Sequence, residues 1–126
     1  MKILVSGSRN GASEDVIRES IKNLPPGPHT LIHGNAKGVD SIFDQIWKFN
    51  NWPILSFPAD WENHGKAAGP IRNQSMINET SPDYGIFIPD LSSKGTYDCL
   101  NRFKLTRRPG ICYLPMERCF INIYEM

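Results

Sequence analysis

FPADWENHGKAAGPIRNQSM, Phe57 to Met76, is the stretch on which the fold turns. It leaves an apolar run, PILSF from Pro53, that reads as a strand, and it ends inside a helix. Gly69-Pro70 is a helix-start signal, because proline at the first helical position lacks an N–H that would be unpaired there anyway. The N–H groups of Ile71, Arg72 and Asn73 are then expected at an open, electropositive helix end that suits an anion. Arg72 adds a planar guanidinium that can grip a phosphate or carboxylate at two points. Lys66 precedes it, and Gly65 and Gly69 let backbone come close to a ligand. The span from Pro58 to Gly69 is longer than an ordinary strand-to-helix link, and long loops in compact domains are often functional. The sharp expectation is a site for a phosphate-bearing ligand. The plain one is a surface loop with a capped helix.

The rest of the chain alternates in the same way. KILVS (2–6), TLIH (30–33), YGIFI (84–88) and ICYL (111–114) are short apolar runs that read as buried strands. Ile17, Ile21 and Leu24 recur at helical spacing after Ser13, a helix-capping residue, and Pro25-Pro26-Gly27-Pro28 ends that helix. Val39, Ile42, Phe43, Ile46 and Trp47 mark one face of a second helix. A third is expected from Pro70 to about Glu79, and a fourth from Thr96 to about Thr106 with Cys99, Leu100 and Phe103 inward. The tail from Glu117 alternates apolar residues and suits an edge strand. Strands alternating with amphipathic helices imply one α/β domain over 1–126. Its expected form is a Rossmann-like three-layer sandwich, with about five mainly parallel strands and helices on both faces.

Composition narrows the functional classes. A chain of 126 residues can bury a real core. Its net charge of +1 argues against a nucleic-acid partner. No apolar run approaches membrane-spanning length, and the N-terminus reads as a strand rather than a signal peptide. Three cysteines, Cys99, Cys112 and Cys119, form no CxxC pair and are expected as reduced, buried thiols of a cytoplasmic protein. His29, His33 and His64 lie in separate loops, so no metal is expected. Nothing in the chain calls for a cofactor.

In sheets of this kind ligands bind at the carboxyl ends of the strands. Four loops leave that edge. The first offers Ser6, Gly7, Ser8 and Arg9, within a loop running to Gly11. The second offers His33, Gly34, Asn35, Lys37, Gly38 and Asp40. The third is the opening stretch, with Asp60, Trp61, Arg72 and Asn73. The fourth offers Ser92, Ser93, Lys94, Gly95 and Thr96. Glycine exposes N–H groups, hydroxyls donate, and Arg and Lys bring charge, which is the inventory of a phosphate-binding edge. Neither the P-loop nor the GxGxxG pattern is present. Each residue also has a structural reading. Arg9 can tie down its loop, and His33 can be a buried hydrogen-bonder. Asp40 can answer the dipole of the helix it begins. Trp61 can anchor its loop, and Thr96 can cap a helix.

SGSR at 6–9, HGNAKGVD at 33–40, FPADW at 57–61, GKAAGPIRN at 65–73 with Met76, and SKGTYD at 93–98 resemble the SLOG superfamily, closest to its YspA/YpsA-like branch of small proteins. The resemblance runs from about Met1 to Leu114. It implies a Rossmann-like fold that binds a nucleotide or a nucleotide-derived molecule. Ligand contacts are expected from Gly7, Ser8, Arg9, His33, Gly34, Asp40, Asp60, Trp61, Arg72, Asn73, Ser93, Lys94, Gly95 and Thr96. The superfamily includes the LOG enzymes, which cleave the N-glycosidic bond of nucleoside monophosphates with a glutamate in PGGxGTxxE, and the DNA-processing DprA proteins. Arg72 falls where the LOG arginine would be, and Gly95 and Thr96 match its GT. Ser92 and Ser93 replace its two glycines, and Cys99 stands at the glutamate position.

Cleavage builds positive charge on the ribose and needs a carboxylate, which cysteine is not. Asp98, Asp60 and Asp40 are the candidate catalytic acids. Three readings follow: a binder that senses or sequesters its ligand, a nucleotide N-glycosidase, and a DprA-like accessory to single-stranded DNA processing. The related domains associate through helices, which implies a homodimer or larger homo-oligomer.

Overall fold

Apolar β-rich runs and helix-period segments alternate along the chain as strand and helix. The computed structural model describes residues 1–10 and 13–126, so Gly11, at the end of the first loop, lies outside the described residues. The order is β1 (Lys2–Gly7), α1 (Glu14–Ile21), β2 (Thr30–His33), α2 (Val39–Phe49), β3 (Ile54–Ser56), α3 (Trp61–His64), α4 (Ala68–Thr80), β4 (Tyr84–Ile88), α5 (Lys94–Lys104), β5 (Gly110–Leu114) and β6 (Cys119–Asn122). The sheet runs β3-β2-β1-β4-β5-β6. Its first five strands are parallel, and β6 returns antiparallel along β5, pairing Cys112 with Ile121. The apolar tail thus forms the edge strand its alternation implies. The fold is α/β and Rossmann-like.

Side chains alternate across the pleat. Ile3 and Val5 of β1 join Leu31, Phe43, Trp47, Ile86 and Ile88 on the face that carries α2. Leu4 joins Ile32, Met76, Phe87, Cys99 and Phe103 on the face that carries α4 and α5. Each fully buried Phe or Leu contributes about 1.5–3 kcal/mol by leaving water. β1 pairs with β2 on one side and β4 on the other, so the strand order reverses there. Chain exits at that point diverge and leave a crevice.

Four expectations are corrected. α4 begins at Ala68 rather than Pro70. A 3-10 turn, Gly65–Ala67, runs straight into it, and Ala67 is already helical at φ −78 and ψ −11. Proline is tolerated throughout a first turn, so it marks the turn without marking its first residue. The N–H groups of Ile71, Arg72 and Asn73 therefore reach carbonyls one turn back and do not form an open anion site. The expected loop Pro58–Gly69 also contains α3, capped by Asp60, whose carboxylate accepts from Asn63 N at 3.2 Å. α5 starts at Lys94 with Ser93 at its cap, so Thr96 lies inside the first turn and is not the cap. Cys99 and Cys112 are buried, but Cys119 opens the edge strand and is exposed. Among the described residues no helix is long and apolar enough to cross a membrane.

Candidate functional site

A cavity of about 620 Å³ opens at the carboxyl ends of β1 and β4, where the strand order reverses. That volume suits a small-molecule ligand. Gly7, Arg9, Gly34, Asp40, Trp61, Arg72, Asn73, Ser93, Lys94, Gly95 and Thr96 line it, together with Asp98. Four loops far apart in sequence thus share one wall. Ser8, His33 and Asp60 do not line it. Ser8 is buried, and its hydroxyl donates to Asp90 at 2.7 Å. His33 lies in the core, with Nε2 2.7 Å from Asp44 Oδ2 while Nδ1 accepts from Asn35 N. That assigns the ring proton to Nε2 and gives His33 the structural role. Asp60 serves as the α3 cap, as described above.

Gly38 holds two of these loops together. Its φ of +78° lies in the region glycine favours, and a Cβ there would strike the backbone of Ser8 and Arg9. Ser8 O accepts from Val39 N at 3.1 Å across the same contact.

Arg72 and Asn73, neighbours on α4, brace opposite sides of the cavity. Arg72 Nη1 donates to the carbonyls of Gly34 and Phe57, and Nε donates to Asn73 Oδ1 at 3.0 Å. A side chain at position 34 would overlap this guanidinium, so glycine is required for the close approach. Nη2 makes no hydrogen bond among the described residues. Asn73 is buried and donates to Gly95 O at 3.2 Å and to Asp98 Oδ2 at 3.0 Å.

The carboxylates differ sharply. Asp40, near the start of α2, turns back to accept from Gly34 N at 3.1 Å and Ala36 N at 3.3 Å, both through Oδ2. Its Oδ1 is buried and has no hydrogen-bond partner among the described residues. Burial pushes this carboxyl above its ordinary range, against the opposing pull of His33, the loop N–H groups and Arg72. At Asp98 partial burial also pushes upward, but hydrogen bonds from Arg102 (2.8 Å) and Asn73 outweigh it, and the group sits below its ordinary range. Asp98 faces the cavity while Cys99 points into the core. Burial lifts the Cys99 thiol to about 12, which leaves it inert as an acid or a nucleophile.

Asp90 lines the cavity too, and reading the loops by their glycines passed over it. Its carboxylate accepts from the Ser8 hydroxyl at 2.7 Å, the Ser93 hydroxyl at 2.7 Å and Ser92 N at 2.8 Å. Those bonds, Ser8 first, hold it well below the usual carboxylate range. An aspartate followed two and three residues later by serine is a turn pattern legible in PDLSS. Ser6, Asn10, Ala36 and Ser92 complete the wall beside it.

Two donor groups stay open. The N–H groups of Gly95 and Thr96, in the first turn of α5, have no helix carbonyl to reach, and no partner for them exists among the described residues. At the mouth, Arg9 lies over the Trp61 ring at 5.8 Å, and Trp61 is 51% exposed. That exposure excludes the reading of Trp61 as a buried anchor. Among the described residues no three His, Cys, Asp or Glu side chains converge as metal ligands.

Comparison with known proteins bears on the family of the chain. The model of the YspA, cpYpsA-related SLOG family matches residues 1–64, which carry the first two loops and the entry to the third. The chain is 34% identical over 119 residues to the Gene 61 protein of Mycobacterium phage D29, an alignment covering 87% of this chain and 94% of that protein. No solved structure matches it significantly. With its motifs in order and its loops gathered on one cavity, the chain belongs to the YspA, cpYpsA-related SLOG family.

Proposed function

We propose that this protein binds a nucleotide or a nucleotide-derived small molecule at the carboxyl edge of its parallel sheet. One observation carries the reading. The open first turn of α5, the Thr96 side chain and the unpaired Nη2 of Arg72 line one cavity at the switch point of the sheet. A helix N-terminus and a guanidinium together suit a phosphate. Trp61 at the mouth offers a face on which a base stacks. The test is thermal stability against AMP, ADP-ribose, NAD and cyclic nucleotides, with wild type and Arg72→Ala in parallel. A ligand at one hundred times its dissociation constant stabilises the fold by about 2.7 kcal/mol, or several degrees. Arg72→Ala weakens that ligand by about a hundredfold and removes the shift. A flat melt across the panel with wild type sinks the reading.

A second reading rests on Asp98, an ionised carboxylate on the cavity wall next to the position where the LOG glutamate would stand. It makes the protein a nucleoside 5′-monophosphate N-glycosidase, with Asp98 stabilising the positive ribose. Incubation with AMP then releases adenine and ribose 5-phosphate, and Asp98→Asn abolishes release. Intact AMP after long incubation with wild type removes this reading and leaves binding standing.

A further inference from the structure

The donors at this sheet edge are not all free. Ser93 Oγ and Ser92 N, on the cavity wall, and Ser8 Oγ, buried behind it, come from two loops. All three converge on Asp90. The chain has filled that part of its own anion-binding edge with a carboxylate. What remains for a ligand anion is the first turn of α5, the Thr96 side chain and Arg72 Nη2, with lysines at the rim. Those donors are enough for one phosphate. A further phosphate toward the β4–α5 loop would meet the Asp90 carboxylate on the same cavity wall, whose hydroxyl donors are already committed. Like charges on one wall repel, and the effect is screened by salt where the wall is open to solvent.

We propose that Asp90 is a specificity residue that limits the ligand to a single phosphate, so that the cavity takes a nucleoside monophosphate and rejects di- and triphosphates. The inference rests on the nucleotide reading above and deepens it. Asp90 is a positioning and selecting group here, with no part in bond cleavage.

The test is isothermal titration of the full chain with AMP, ADP and ATP, for wild type, Asp90→Asn and Ser8→Ala. Asparagine keeps the shape and one acceptor oxygen, enough for the Ser92 and Ser93 donors that share Oδ1, while removing the charge; the Ser8 hydroxyl that faced Oδ2 then meets an amide nitrogen and turns to accept. Wild type is expected to bind AMP about tenfold tighter than ADP, with ATP weaker still. Asp90→Asn is expected to tighten ADP about tenfold while AMP changes less than about twofold. Ser8→Ala, which keeps the charge, retains the wild-type preference. The wild-type preference also shrinks as salt rises. Equal or tighter binding of ADP by wild type overturns the inference. So does an unchanged AMP-to-ADP ratio in Asp90→Asn, and in both cases the nucleotide reading stands. If wild type binds none of the three and the wider panel leaves the melt flat, the nucleotide reading itself has failed, and the inference falls with it.

Discussion

Asp40, in the first turn of α2, and Asp90, in the loop after β4, border one cavity from either side of β1, and their surroundings are opposite. Asp40 is 4% exposed, with two backbone N–H groups on one oxygen and, among the described residues, nothing on the other. Asp90 lies nearer the solvent and is saturated by serines. The same side chain is pushed upward by burial at one position and held low by its donors at the other. Proximity to a cavity therefore says little about how a carboxylate titrates; burial and the donors around each oxygen decide it together. α4 repeats the division, with Arg72 bracing the Asp40 loop and Asn73 bracing the start of α5.

Asn73→Ala breaks the brace on the α5 side and takes one acceptor from Arg72 Nε, while Arg72 keeps its bonds to the Gly34 and Phe57 carbonyls. It removes a buried amide with three partners and leaves the Gly95 carbonyl short of a donor. The expected loss is about 1–3 kcal/mol, read from urea denaturation. An unchanged midpoint would show that the two loops hold themselves. Asp40→Asn sharpens the contrast. The folded pKa of Asp40 is raised, so the fold favours the protonated form and stability is lost as pH rises through that value. The variant is expected to gain about 1 kcal/mol at neutral pH, and the gain should shrink as pH falls through the raised folded pKa and be gone by the ordinary carboxylate value. A loss at neutral pH would mean that the Asp40 charge is satisfied. Asp90→Asn has the smallest effect and the opposite sign. Its folded pKa is depressed, so its contribution is present at neutral pH and fades on acidification. Melting should fall by about one or two degrees at pH 7, with the difference closing toward acid. Parallel pH profiles for the two variants would break the comparison.

Much of this was legible in the chain. The strands announce themselves as apolar runs, and the helices follow from Val39–Trp47 and Cys99–Phe103 spacing. Their alternation dictates where the loops gather. Glycines and cations marked most of the cavity wall. What escaped depends on which atom meets which partner once the chain is folded, even between residues close in sequence. The unpaired oxygen of Asp40 arises because its N–H donors all fall on Oδ2. His33 resembles a ligand group until Asp44, a turn into α2, occupies its ring nitrogen. The start of α4 was misplaced because Pro70 tolerates any first-turn position, and Cys119 because β6 has no strand beyond it to cover its edge.

Trp61 stands apart from the other two tryptophans. Trp47 and Trp52 pack edge to face at 5.6 Å near the amino end of β2, where Trp47 Nε1 donates to His29 O. Trp61 alone borders the cavity, half in solvent beneath a guanidinium. The chain therefore carries its own optical gauge. Acrylamide should quench one emitter readily and reach the other two far less, and a molecule seated in the cavity should shield that one emitter. A Trp61→Phe variant supplies the blank for the signal.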